Sequence, residues 1–180
     1  MTRSPWSLPS WLLRCCATAN FLLVTFLITT HKTPVGNLNL IADDQILIGA
    51  NLSTISAFKA GRDVKIVKSI PVISDLIEDY FDGDISAING IKVSQPGAPF
   101  SQAAWKAMRK ISGGKVLSYS DIADRAGSPA AVRAAGSACA NNAIMLVVPC
   151  HRVVKTGGAL GNYAYGVNKK EWLLRHEGYL

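Results

Sequence analysis

The sequence predicts an α+β protein with two domains: a small N-terminal β-sheet domain and a C-terminal helix-turn-helix domain of winged-helix-like type. Three observations support this prediction. Short apolar runs with turn signals fill residues 21–95, and helical spacing of apolar residues dominates residues 100–140. Between them, Gln95–Pro99 holds two prolines and one glycine, which indicates a linker at 96–99. At 180 residues, the chain has room for one ordinary domain or two small ones.

The N-terminus allows two interpretations. Cys15–Thr30 is an uncharged run of sixteen residues after two arginines, as in a signal peptide or membrane anchor. However, the small residues Ala17–Ala19 precede the most apolar part instead of following it, and the run is shorter than the ~20 residues that span a bilayer. We therefore favour a buried strand over Phe21–Thr30 and expect no membrane contact. Residues 1–20 are then an extension, either cleaved or added by an upstream start codon.

The rest of the N-terminal half follows from its turn residues and its spacing of apolar residues. The residues of Thr33–Asn37 predict a turn, and Asp43–Asp44 between two apolar runs predicts a hairpin. Ser53–Ala60 is predicted to begin a helix, and Ile73–Phe81 has the helical spacing of a second one. Ile85–Val93 is predicted to be a short strand. We find no chemical motif in this half.

The C-terminal half begins with a predicted helix over Phe100–Ile111. Ser120 is predicted to cap a short helix that Gly127 ends, and Ser128–Pro129 to start a second helix of small residues. A short helix, a glycine turn and a second helix are typical of a helix-turn-helix, although many helical hairpins share the pattern.

The net charge of +7 lies entirely in this half. Residues 1–99 hold eight Lys/Arg and eight Asp/Glu, whereas residues 100–180 hold eleven and four. A polyanion is the expected partner of such a surface, and nucleic acid is the commonest polyanion. The alternative is a basic surface that serves solubility only.

The four cysteines are Cys15, Cys16, Cys139 and Cys150. Their spacing contains no CxxC pair, so it predicts no structural metal site. Nothing indicates a disulfide framework, which favours free thiols in a reducing compartment, the cytoplasm.

The candidate chemistry lies in the stretch Val147–Val154. A strand-like run, Ile144–Val148, is followed by Pro149, Cys150 and His151. A cysteine is a nucleophile as the thiolate and needs a neighbouring base or positive charge near neutral pH. The alternative is a buried structural cysteine beside a hydrogen-bonded histidine.

Further motifs, within this stretch and on both sides of it, favour a reactive cysteine over a structural one. In chain order they are Arg133–Gly136, Asn142, Pro149–Val153, Gly161–Tyr163 and Lys170–Leu174. Together they resemble the O6-alkylguanine-DNA alkyltransferases, the methylated-DNA–protein-cysteine methyltransferases. The similarity is strong over residues 100–180, loose over 31–99 and absent over 1–20. It implies an α/β, ribonuclease-H-like domain over 21–95.

The resemblance implies suicidal DNA repair. A methyl or small alkyl group passes directly and irreversibly from O6-alkylguanine, and also O4-alkylthymine, to the sulfur of Cys150. The partner is double-stranded DNA with an alkylated guanine, and the reaction needs no cofactor and no metal. We expect a monomer.

The resemblance also assigns the catalytic residues. Cys150 is the acceptor, His151 takes its proton through a water, and Glu177 orients the imidazole. Asn142 holds the turn before Cys150, although without the resemblance it would be read as a surface-turn residue.

On the DNA side, the target nucleotide must leave the base stack. Arg133, with Ala134 beside it on the second helix, enters the gap, and Arg152 adds a DNA contact. Tyr119 holds the flipped nucleotide; a half-buried structural aromatic is the alternative.

The resemblance implies a base pocket formed by Val153, Tyr163, Ala164, Tyr165 and Lys170. The carbonyls of Cys150 and Val153 and the amide of Ala164 read the base. An ordinary solvated lysine is the alternative for Lys170.

Two positions depart from the family pattern. Ala143 follows Asn142 where proline is usual, which removes a restraint on the turn. Tyr165 stands where glycine is frequent, so we expect methyl adducts to be repaired much faster than benzyl adducts.

Two other functions remain open. A sensor would bind alkylated DNA without accepting the group, but related sensors lack the cysteine. A Cys-His-Glu hydrolase of small acyl substrates would leave the basic half unexplained.

Overall fold

The computed structural model of the protein describes residues 25–59 and 61–180. Cys15, Cys16, the predicted extension over residues 1–20, the alternative anchor and the first residues of the Phe21–Thr30 strand lie outside this described part. Within it, no helix is both long enough and apolar enough to cross a membrane.

The N-terminal half is built on a mixed five-stranded sheet of order β4-β1-β2-β3-β5. The three central strands are antiparallel, and each outer strand is parallel to its neighbour. The strands are β1 Phe26–Thr33, β2 Gly36–Asp43, β3 Ile46–Asn51, β4 Val64–Ile66 and β5 Lys92–Val93. The predicted turn at Thr33–Asn37 and the predicted hairpin around Asp43–Asp44 are therefore confirmed, and β1 continues three residues beyond the predicted end of its strand.

The two hairpin turns use the residues that identified them. After Pro34 and Val35, Gly36 begins β2 at φ 116°, a backbone conformation that glycine adopts without a side-chain penalty. Asp44 has φ 53° in the second turn, where a short polar side chain is tolerated. This polar turn chemistry places the apolar residues of β2 in register with β1 and β3.

Two helices pack with this sheet. They are α1 Ser56–Lys59 and α2 Ile73–Phe81, both close to prediction. Of the strand predicted over Ile85–Val93 only Lys92–Val93 forms, and the rest of the prediction is wrong, because a 3₁₀ helix occupies Ala87–Gly90. The carboxylate of Asp84 accepts hydrogen bonds from the backbone N–H and the hydroxyl of Ser86, which turns the chain before a strand can form.

The C-terminal half contains four helices and a parallel strand pair. They are α3 Pro99–Arg109, α4 Tyr119–Arg125, α5 Val132–Ala140, α6 Val167–His176, β6 Leu117–Ser118 and β7 Val153–Val154. α3 packs on both α4 and α5, which also pack on each other. This arrangement confirms the predicted helical pair and the α+β class.

The ends of the helical pair differ from prediction. Ser118, and not Ser120, caps α4, because its side chain accepts the Asp121 N–H at 3.1 Å and the Asp121 carboxylate accepts the Ser118 N–H at 2.7 Å. α5 begins at Val132, after a turn through Pro129, so Ser128–Pro129 does not start it.

The apolar run Ile144–Val148 is not a strand. Ile144 makes an isolated bridge with Ala50, and the chain then turns, with Leu146 at φ 73° and the Val148 N–H donating to the Ile144 carbonyl. A short apolar run indicates burial but does not distinguish a strand from a buried turn. The run is buried, and it leads into a 3₁₀ helix, Cys150–Arg152.

One apolar cluster connects the two halves. It joins residues of the sheet such as Leu40 with Met108 of α3 and with Val153. Polar contacts also join the halves, for example the Ala50 N–H to the Ala143 carbonyl at 2.8 Å. The division into domains at 96–99 stays a prediction.

Candidate active site

Cys150 lies at the start of the 3₁₀ helix and borders a pocket of about 380 Å³. α4, α5 and the loop before α6 supply the other walls. The lining residues are Tyr119, Gly136, Cys139, Ala140, Cys150, Asn162, Tyr163 and Ala164. Cys139 and Cys150 are both free thiols. The sulfur of Cys150 is therefore placed beside a space lined mostly by small and aromatic residues.

Burial raises the pKa of the Cys150 thiol, while a hydrogen bond from Asn142 and the positive charge of Lys170 lower it in part. The Asn142 amide donates to the sulfur at 3.3 Å and to the Val148 carbonyl at 2.7 Å. The thiol remains protonated at neutral pH, so its reaction as a nucleophile requires a base.

His151 is the candidate for that base. Its Nε2 lies 2.9 Å from Oε1 of Glu177, and both side chains are fully buried. Since Glu177 is ionised, Nε2 carries the hydrogen and Nδ1 has the free electron pair. Nδ1 is buried and has no hydrogen-bond partner within the described residues. Burial lowers the pKa of His151 in spite of the Glu177 charge, so the neutral, basic form dominates at neutral pH.

Glu177 is the centre of this network. Its Oε1 accepts hydrogen bonds from Tyr80 at 2.7 Å, His151 at 2.9 Å and Arg152 at 2.8 Å, and its Oε2 accepts one from Arg152 at 2.7 Å. Burial alone would raise the pKa of Glu177, but the hydrogen bonds and charges of His151 and Arg152 lower it to about 2. The carboxylate is therefore ionised and held in one orientation.

The prediction that Arg152 contacts DNA is wrong. Arg152 is only 1% exposed, and its guanidinium pairs with Glu177 and donates to the Ile111 carbonyl. A buried cation requires a partner, and Glu177 is that partner. Arg152 holds the carboxylate that holds His151.

Lys170 is buried, so the alternative of a solvated lysine is wrong. Its ammonium donates to the carbonyls of Val153 and Leu160. Burial lowers the pKa of Lys170, and the nearby Cys150 and Cys139 raise it in part. Lys170 thus connects α6 to β7 and to the loop that carries Tyr163 and Ala164.

The predicted DNA-side residues lie on the helical pair. Arg133 and Ala134 are exposed on α5. Arg133 precedes Gly136 and Ala140 by three and seven positions, so all three share one helix face, and the latter two line the pocket. Tyr119 begins α4 and borders the same pocket. Burial and the two cysteines raise its pKa, which keeps its hydroxyl protonated as a donor.

The loop before α6 supplies the remaining wall. Ala164 is exposed and borders the pocket, whereas the buried hydroxyl of Tyr163 has no partner within the described residues. Tyr165 packs edge-on against Tyr163 with ring centroids 5.7 Å apart. It does not itself line the pocket, so it acts on the width of the pocket only through Tyr163.

Sequence reasoning missed four residues of this site. The sequence predicts Tyr80 only as part of the apolar face of a helix and Gln95 only as the residue before the linker at 96–99; neither carries a local signal of its role. Cys139 and Asn162 border the pocket. The signals for these two residues are the position of Cys139 within the small-residue helix α5 and the position of Asn162 within the Gly161–Tyr163 motif.

Residues 99–179 match the family profile described as "6-O-methylguanine DNA methyltransferase, DNA binding domain". The chain is 39% identical over 159 residues to a methylated-DNA–protein-cysteine methyltransferase of Shigella flexneri, with 82% of this chain and 93% of the relative covered. The protein of that name from Salmonella typhimurium is 47% identical over 108 residues, with 60% and 63% covered.

Solved structures give the same result for the fold. The structure of Mycobacterium tuberculosis OGT in complex with DNA superposes with a TM-score of 0.73 at 30% identity. The superposition covers 84% of this chain and 92% of that chain, and it therefore includes both halves of the molecule.

Proposed function

Because the chain belongs to the methylated-DNA–protein-cysteine methyltransferase family, we propose that it repairs O6-alkylguanine in double-stranded DNA by moving the alkyl group onto Cys150. The observation that carries this proposal is the buried Cys150, His151 and Glu177 arrangement beside a pocket on the helix-turn-helix. Each chain acts once, because the thioether product does not regenerate the thiol.

The transfer follows from the protonation states. The proton of the Cys150 thiol passes through a water to Nδ1 of His151, and Glu177 stabilises the imidazolium that forms. The sulfur then attacks the alkyl carbon. An S–C bond forms, the C–O6 bond breaks, and its electron pair stays on guanine O6. The imidazolium of His151 gives up its proton to water, and the guanine anion takes up one proton from water, so that both groups become neutral. All charges that develop are compensated within the site.

The pocket also explains why the base must leave the duplex. Cys150 is only 8% exposed, so a base within a stack cannot reach its sulfur. Arg133 lies on the pocket side of α5 and fills the gap that the flipped nucleotide leaves, while Tyr119 holds the nucleotide at the pocket. Exposed cations of this half, such as Arg125 and Lys155, contact phosphates. Affinity for DNA then falls steeply with salt.

The deciding experiment is to incubate the protein with a duplex that contains O6-[methyl-³H]methylguanine and to digest it. One equivalent of label on the Cys150 peptide supports the transferase, and binding without label supports the sensor. If neither binding nor labelling occurs, the hydrolase remains. Cys150→Ser should take up no label, whereas Cys139→Ser, which removes the other thiol of the pocket, should still take up label at Cys150.

A second experiment tests the role of Arg133. Arg133→Ala should slow repair in a duplex more than transfer from free O6-methylguanine, since only the duplex requires flipping. Arg125→Ala removes an exposed cation from α4 and serves as the control for lost charge. An equal loss on both substrates for Arg133→Ala contradicts the role.

Further parts of the proposal rest on chemistry and family alone. Transfer extends to O4-alkylthymine, and methyl adducts react faster than benzyl adducts because Tyr165 supports the pocket wall. The protein acts as a monomer. Free thiols at Cys139 and Cys150 suit a reducing compartment, and we place the protein in the cytoplasm.

A further inference from the structure

We propose that Gln95 is a positioning residue that fixes the side-chain amide of Asn142, so that the sulfur of Cys150 receives a hydrogen-bond donor. The proposal rests on the proposed role of Cys150 as the acceptor. Gln95 lies between β5 and α3, outside the residues 99–179 that the family profile matches. It is 8% exposed, although its segment has the composition of a linker.

The orientation of the Gln95 side-chain amide is set by a backbone N–H, a group that can only donate. The backbone N–H of Ala143 donates to Oε1 of Gln95 at 2.9 Å. With its oxygen turned to that N–H, the Gln95 side chain presents its nitrogen to Asn142, and Nε2 donates to Oδ1 at 3.2 Å. Amide oxygens and nitrogens are assigned from their hydrogen-bond partners, and here a backbone donor makes the assignment.

Asn142 transmits this orientation to the sulfur. Its Oδ1 also accepts the Ile144 N–H at 3.1 Å, and its Nδ2 donates to the Val148 carbonyl and to Cys150. Ile144 and Val148 belong to the turn that Asn142 itself forms. Gln95 is the partner that comes from outside this turn, and it ties the turn to the segment that follows the N-terminal sheet.

The Gln95 segment is itself anchored. Its carbonyl accepts a hydrogen bond from the side chain of Gln102 on α3 at 2.6 Å. An anchored amide limits the rotation of Asn142 and keeps its N–H on the sulfur. Because a donor stabilises the thiolate over the thiol, loss of Gln95 should raise the pKa of Cys150 further above its usual value. The N–H of Ala143, which a proline at this position would lack, is therefore functional.

The test titrates the Cys150 thiol with iodoacetamide in the full-length protein, with the Cys150 peptide quantified by mass spectrometry, and needs no DNA. Gln95→Ala should raise the thiol pKa by roughly half a unit to one unit and slow methyl transfer about 3- to 10-fold at pH 7. Gln95→Met should also raise the thiol pKa, because its side chain has a similar length and no charge but cannot donate to Asn142. It decides the question if Gln95→Ala does not fold.

Asn39→Ala is the matched control. The Asn39 amide is buried in the N-terminal sheet and donates to Asn51 at 3.1 Å and to the Ser53 carbonyl at 3.3 Å. Its loss should lower stability and leave the thiol pKa unchanged. An unchanged thiol pKa in both Gln95 variants, or an equal rise in Asn39→Ala, overturns the proposal. If the wild type takes no methyl group from DNA, the proposed function fails, yet the iodoacetamide titration still reports on Gln95.

Discussion

Each half of the molecule contains a nucleophile-type side chain, a histidine and a glutamate. In the C-terminal half these are Cys150, His151 and Glu177. In the N-terminal half, Nε2 of His31 lies 3.0 Å from the Ser74 hydroxyl, and its Nδ1 lies 3.4 Å from Glu78. The residue types alone would make both of them candidate catalytic triads.

Their surroundings separate them. Ser74 is 1% exposed, and its hydroxyl accepts the Ile70 N–H at 2.8 Å. A cavity of about 620 Å³ is lined by His31 and Glu78 but not by Ser74, so a substrate there would not meet the hydroxyl. The Glu78 side chain is 65% exposed, whereas that of Glu177 is fully buried and paired with Arg152.

The different surroundings of Glu177 and Glu78 indicate that a carboxylate orients a histidine for chemistry only when the carboxylate is itself fixed and shielded from water. Glu177 has an ion pair and a low dielectric around it, which strengthen its hold on His151. Within the described residues, Glu78 has no arginine or lysine partner, and its contact with His31 lies in solvent, where such a pair contributes little. The first arrangement meets this condition, as the proposed reaction of Cys150 requires, and the second fastens the start of α2 to β1.

The largest difference between the two arrangements should appear when each carboxylate is neutralised in turn. Glu177→Gln leaves Arg152 as an unpaired buried cation, so it should lower the free energy of unfolding by about 3–5 kcal/mol. It should also slow methyl transfer roughly 10²- to 10⁴-fold, since His151 loses its partner. Urea unfolding and single-turnover transfer at low temperature measure the two effects. Glu78→Gln should change stability by less than about 0.5 kcal/mol and leave transfer unchanged; similar losses in both variants would contradict the comparison.

The dependence of stability on acid pH should show the same difference between Glu177 and Glu78, without a measurement of methyl transfer. The pKa of Glu177 is lowered from 4.5 to about 2 in the folded protein. Its contribution of roughly 3 kcal/mol is thus present above pH 4.5 and lost as the pH falls from 4.5 towards 2. His151, whose pKa burial lowers, adds a loss that begins below its usual pKa of 6.5.

Thermal unfolding between pH 7 and 2 measures this loss. Asp84 and Asp121 also have lowered pKa values from hydrogen bonds with serines, so the slope of the wild type alone is not sufficient. The difference between variants is decisive: Glu177→Gln should flatten the slope between pH 4.5 and 2, and Glu78→Gln should keep it.

The sequence predicts the parts of this site whose residues are close together along the chain, and it does not predict contacts between residues that are far apart along it. The hairpins, α2, the helical pair and the Cys150–His151 neighbours are local patterns, and the structure confirms their placement. The partner of Glu177 at Tyr80 lies 97 residues away, and no local spacing indicates it. Arg152 is a cation in the basic half, which is typical of a DNA contact, but its burial depends on the fold that brings Glu177 to it. The run Ile144–Val148 correctly indicated burial and wrongly indicated a strand, because backbone conformation there is set by Asn142 and Ala50.

Tyr80→Phe tests a smaller change at the buried carboxylate, because it removes only one of the contacts of Glu177. The variant deletes the hydroxyl that donates to Glu177 and keeps the ring, which packs edge-on against His176 at 5.2 Å. A hydrogen bond to a charged group contributes about 1.5–3 kcal/mol, so stability should fall by that amount. Transfer should slow less than in Glu177→Gln, because Arg152 still holds the carboxylate. A stability loss without any change in the pH profile of transfer would show that Tyr80 supports the fold only.

The smallest effect is expected from the N-terminal arrangement itself. Ser74→Ala removes the acceptor of the Ile70 N–H and the partner of His31, which should cost about 1–2 kcal/mol of stability, as loss of a helix-start hydrogen bond does. Methyl transfer by the folded protein should stay at the wild-type rate, because neither Ser74 nor His31 contacts the Cys150 pocket. His31→Gln, which keeps a hydrogen-bonding side chain at β1, serves as the control. If either variant slowed transfer while remaining folded, the N-terminal arrangement would belong to the chemistry, and burial would not be what distinguishes the two.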